Sequence, residues 1–64
     1  MNGYTYEVTW YNLSEGSNKA FSFDLKKEAL TFARDLKERS IYHRNVKVFR
    51  IKYGSRTQVW GEMT

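Results

Sequence analysis

His43 is the single histidine of this 64-residue chain and its one side chain that titrates near neutral pH without help. As a general base it would need a nucleophile to activate. The chain has no cysteine, and its serines follow no nucleophile-elbow pattern. Glu7, Asp24 and Glu28 could converge near a helix start, but a helix cap and a solvated helix face account for them more simply. A metal would require three or four ligands at compatible spacing, and one histidine with scattered acids does not supply them. Gly3, Gly16, Gly54 and Gly61 match no phosphate-loop spacing. The residues that could do chemistry therefore point away from an enzyme, and no catalytic residue, metal or cofactor is expected.

Charge is more informative. Residues 1–33 hold three bases and four acids, a net of −1, and residues 34–64 hold eight bases and three acids, a net of +5. From Arg39 to Arg56 there are six bases and no acid: Arg39, Arg44, Lys47, Arg50, Lys52 and Arg56. Such a stretch can neutralise phosphates while nearby aromatics stack on bases, can steer an acidic protein, or can guard an edge strand against aggregation. Tyr11 and Trp60 are the aromatic residues expected beside it on an uncovered sheet face.

The elements that carry these residues follow from periodicity. Residues 4–11 alternate, with Tyr4, Tyr6, Val8 and Trp10 on one face and Thr5, Glu7, Thr9 and Tyr11 on the other, which predicts a strand. Ser14, Gly16, Ser17 and Asn18 mark a loop over 12–18, and Phe21 and Phe23 share a face of a second strand over 19–23. Asp24 is placed to cap a helix. Leu25, Ala29, Phe32, Ala33 and Leu36 then form one stripe of a helix over 25–39, with Asp35 and Arg39 as an i, i+4 ion pair. A connector over 40–45 holds His43, with Ile41 and Tyr42 available to close the core. Strands over 46–53 and 56–62 complete the order, joined through Gly54-Ser55 as a two-residue type II′ turn.

Two registers of this last hairpin are open. One pairs Phe49 with Trp60 and Arg50 with Val59; a one-residue shift sets Ile51 by Val59 and Arg50 by Trp60. Val46 and Val48 lie in one phase and Phe49, Ile51 and Tyr53 in the other, which calls for a bulge near Val48.

The expected fold is α+β: a single domain over 1–64, two layers in the order ββαββ, with a four-stranded antiparallel sheet and one helix packed on one face. One helix leaves the far sheet face without cover, so that face meets solvent or a partner. There is room for one domain only, and no apolar run approaches a membrane span. Met1-Asn2-Gly3-Tyr4 lacks the basic and apolar regions of a signal peptide, so a cytoplasmic protein is expected.

The layout resembles that of small proteins encoded by phages and other mobile elements. Y-T-Y-E-V-T-W at the start, F-S-F-D ahead of an A-x-x-F-A-x-x-L helix, and the closing V-K-V-F-R…V-W carry the resemblance over nearly the whole chain. It implies an accessory role, binding and inhibiting a host or phage macromolecule. The residues and the resemblance together lead to a non-enzymatic, homodimeric binding module for an acidic protein partner. Its contacts are Lys47, Arg50, Lys52 and Arg56, with Tyr11 and Trp60 as anchors. Nucleic acid bound by the same strand is the alternative.

Overall fold

A computed structural model describes residues 3–39 and 41–61. Ser40 of the expected connector and Glu62 at the end of the expected fourth strand lie outside the described residues, as do Met1, Asn2, Met63 and Thr64. The elements are β1 (Thr5–Asn12), β2 (Ser17–Phe23), α1 (Lys26–Arg39), β3 (His43–Lys52) and β4 (Ser55–Gly61). They form the expected ββαββ arrangement: one antiparallel sheet in the order β2-β1-β3-β4, with the helix on one face.

The core is where the alternation of β1 meets that of β3. Val8 pairs with Val48 across the central ladder, and both are fully buried together with Ala29 and Ala33 of α1. Alanines spaced i, i+4 let the helix backbone approach the sheet closely. Tyr6 and Val46 complete the buried set, and Tyr4, Trp10, Phe23, Leu30, Phe32, Leu36, Val59 and Trp60 pack around it. Phe32 anchors an aromatic belt, with Trp10, Phe21 and Phe23 each within 5.6 Å between ring centroids.

Several local expectations shift. The helix begins one residue late: the Ala29 amide donates to the Leu25 carbonyl at 3.2 Å, and the Leu25 side chain lies outside the core with half its surface exposed. The first loop shortens to residues 13–16 because Asn12 organises it. Its Oδ1 accepts from the Glu15 amide at 3.0 Å and its carbonyl from the Gly16 amide at 2.7 Å. Ile41 and Tyr42 are exposed rather than closing the core, although the Tyr42 carbonyl accepts from the Leu13 amide at 2.8 Å.

The second hairpin differs most. Lys52 pairs with Ser55, so the turn residues are Tyr53 and Gly54, with φ of 50° and 84°. Positive φ at both central positions marks a type I′ turn. The ladder sets Val48 by Trp60 and Phe49 by Gln58, which differs from both sequence registers. The extra residue in this stretch is Val59, so the bulge expected on the third strand lies on β4. A second irregularity, between Thr9 and Tyr11 on the β1 side, takes in Asn45 with φ of 54°; asparagine is among the few side chains that tolerate the left-handed region.

Candidate functional site

Strand alternation divides the basic run. On β3, Val46 and Val48 point to the helix, so Arg50 and Lys52 share that side and Lys47 takes the other. β3 is also an inner strand, so guarding an edge does not account for its cations.

The uncovered face presents Glu7, Thr9 and Tyr11 of β1, Lys47, Phe49 and Ile51 of β3, and Arg56 of β4. Arg56 Nη2 donates to Glu7 Oε1 at 2.8 Å, and the guanidinium lies 4.3 Å from the Phe49 ring centroid. This cation is thus tied down by a carboxylate and a ring. Tyr11 stands opposite Arg44 at the far end of β1 from Tyr4. Trp60 packs against the core, with Lys37 Nζ 5.9 Å from its ring centroid. The six residues singled out in the sequence therefore do not form one surface: Lys47, Arg56 and Tyr11 lie on the uncovered face, Arg50 and Lys52 lie on the helix side, and Trp60 belongs to the core periphery.

What does converge is a cationic and aromatic cluster at the tip of the β3–β4 hairpin. Lys52 Nζ and the Arg50 guanidinium lie 4.8 Å and 5.1 Å from the Tyr4 ring centroid. Lys52 Nζ is also 5.4 Å from that of Tyr53. Each such contact contributes about 0.5–1 kcal/mol when exposed and holds an otherwise flexible cation in place. Tyr4, Arg50, Lys52, Tyr53, Ser55 and Thr57 line a depression of about 300 Å³. The lining contains no carboxylate, and among the described residues neither Arg50 nor Lys52 forms an ion pair. Tyr53 is 93% exposed at the turn apex. The depression can accept an anionic group between the two cations, flanked by tyrosine rings and two hydroxyls.

Sequence reasoning missed Tyr4 and Tyr53 as members of this cluster because their types suit a core. The available signal was Tyr53-Gly54 as the turn pair. That pairing fixes Lys52 opposite Ser55, while the phase of the buried Val46 and Val48 puts Arg50 and Lys52 on the side of Tyr4.

His43 has a structural engagement. Its Nδ1–H donates to the Leu36 carbonyl at 2.8 Å, since a carbonyl can only accept, and its ring meets Trp10 edge-on at 6.4 Å. Among the described residues, no group of three or more His, Asp or Glu could hold a metal ion, and no helix is long and apolar enough to cross a membrane. The chain matches no family model, no curated protein and no solved structure, so the chemistry of the hairpin tip is read from its own residues.

Proposed function

We propose that the chain is a non-catalytic binding module that docks the tip of its β3–β4 hairpin on an acidic protein surface. The observation that carries this reading is the cluster of Arg50 and Lys52 over Tyr4, beside an exposed Tyr53, in a depression whose lining has no carboxylate. Tyrosine and arginine are the residue types that dominate interface energetics. A tyrosine held at the end of a rigid turn offers large contact area at little further cost in side-chain order. The two cations would steer the encounter and pair with carboxylates of the partner.

A protein partner suits this site better than a nucleic acid. Binding a strand of phosphates takes a continuous cationic track, whereas here the basic side chains of β3 are divided between two faces and Arg56 is held by Glu7. The accessory, inhibitory role implied by the resemblance to phage-encoded proteins belongs to the same proposal, as does action in the cytoplasm, a reducing compartment that suits a cysteine-free chain.

The test joins two measurements. Labelled single-stranded DNA, duplex DNA and RNA are titrated with the protein at low and moderate salt, and immobilised wild type and the Arg50→Glu/Lys52→Glu double variant are compared in capture from a host lysate. An acidic protein retained by the wild type and lost by the variant, with no oligonucleotide binding, supports the proposal. Oligonucleotide binding that falls steeply with salt and disappears in the variant overturns it in favour of nucleic acid.

A further inference from the structure

The two edges of the sheet are built differently. β4 is interrupted by the Val59 bulge and carries Arg56, and both are features that discourage pairing with another strand. β2 has neither. Its seven residues pair with β1 in unbroken register from Tyr6 and Phe23 to Asn12 and Ser17. Its one charged residue, Lys19, is in an ion pair with Glu15. The outer side of β2 is thus a long, regular row of backbone donors and acceptors, open to a further strand.

The helix side of this edge is apolar. Phe21 is 54% exposed and stacks on Phe23 at 5.0 Å. Next to it Phe23, Leu25 and Phe32 line a groove with Lys27, Glu28 and Asp35 at its rim.

We propose that β2 pairs with β2 of a second copy of the chain, antiparallel about a two-fold axis at Ala20, so that two four-stranded sheets become one. The strand is its own complement in this register. Full overlap of residues 17–23 sets Lys19 opposite Phe21 of the other copy, Ser17 opposite Phe23, and Asn18 opposite Ser22. No like charges stand directly opposite one another in this register. The exposed phenylalanine gains a lysine stem and ammonium as cover on each side of the axis. Charge also selects this edge. The chain carries +4, so two copies repel through most of their surface, but the β2 strip is neutralised by Glu15, and the groove rim offers both signs to its two-fold mate. Face-to-face stacking of the uncovered sheet faces would cover Phe49 and Ile51, but it would also bury Lys47 and the Glu7–Arg56 ion pair of each copy. This interface uses none of the hairpin-tip residues and is independent of the function proposed for them.

The chain has no cysteine, which gives a clean test of both interface and register. In the proposed dimer Ala20 faces its own copy at about 4.5–5.5 Å between Cα atoms, within disulfide range. Ser22 stands roughly 13 Å from its own copy, four residues along the strand. Under mild oxidation Ala20→Cys is expected to form a disulfide-linked dimer and Ser22→Cys to remain uncrosslinked. In sedimentation velocity from micromolar to millimolar protein, the wild type is expected to dimerise. Phe21→Glu should raise the dissociation constant about tenfold or more, the equivalent of one good contact, with an unchanged circular dichroism spectrum. If Phe21→Glu unfolds the chain, the cysteine pair decides alone. A wild type that stays monomeric at millimolar concentration, equal crosslinking of the two cysteine variants, or a folded Phe21→Glu variant that dimerises as tightly as the wild type would each overturn the proposal.

Discussion

His43 ties the first residue of β3 to the last turn of α1 by donating from Nδ1 to the carbonyl of Leu36 at 2.8 Å. Carbonyls in the last helical turn have no partner within the helix, and this one gains a side chain from the strand that follows. His43→Ala is expected to lower unfolding stability by about 1 kcal/mol, the usual net value of one such hydrogen bond, with the sheet intact by circular dichroism. Urea titration of the two proteins measures it.

Gly61 is fixed by contact as well as by conformation. Its φ is 108°, and a Cβ there would collide with the Val46 carbonyl oxygen and stand 2.8 Å from Lys47 Cα, both backbone atoms of the neighbouring strand. Gly61→Ala is expected to cost on the order of 1–3 kcal/mol, the range for a strained backbone position. Amide exchange at Val46 and Lys47 should accelerate ahead of that at Val8, which reports whether the loss begins at this end of the β3–β4 ladder.

Tyr53 adopts a φ of 50°, a region that costs a side chain with Cβ roughly 1–2 kcal/mol. Asparagine tolerates it and is the favoured residue before glycine in a type I′ turn. Tyr53→Asn is therefore expected to raise stability by about 0.5–1 kcal/mol while weakening partner capture. A thermal melt and the capture assay move in opposite directions if the exposed ring is kept for binding; parallel losses would show that it serves the fold.

Arg56 provides the contrast. Its ion pair with Glu7 joins two side chains that are 51% and 25% exposed, and exposed pairs contribute at most about 1 kcal/mol. Arg56→Gln is expected to cost no more than that in urea titration, with the difference shrinking as salt is added. Capture of the partner should be unchanged, because Arg56 is on the face opposite Arg50 and Lys52.

The first half of the chain was legible because one period dominates each segment. Alternation along β1 placed Tyr6 and Val8 in the core, and the helical stripe placed Ala29 and Ala33. The Asp35–Arg39 pair forms at 3.0 Å as its spacing implied. The second half contains two apolar phases on one strand, Val46 with Val48 and Phe49 with Ile51. Periodicity alone cannot rank two half-buried faces; the helix does so by covering one. The turn and bulge depend on left-handed backbone at Asn45 and Tyr53, and tyrosine is not a residue that announces it. The Val59 bulge set Trp60 by Val48 at the core periphery, and the helix, by covering Val46 and Val48, left Lys52 and Arg50 on the side of Tyr4, which is why the basic stretch was visible in the sequence and its convergence point was not.

The strand order has a kinetic consequence. The two inner strands, β1 and β3, pair residues as distant as Thr5 and Ile51, and Val8 meets Val48 only when they join. Each hairpin is a local closure that forms in microseconds, yet neither encloses the core alone. The search for that meeting, across the intervening β2 and α1, should set the folding rate in the slower range of mixed α/β domains, and acquisition of the core should be a single concerted step. A nick in the segment between α1 and β3 would then yield two fragments that are unstructured apart and fold on mixing, so the protein would serve as a two-piece association reporter.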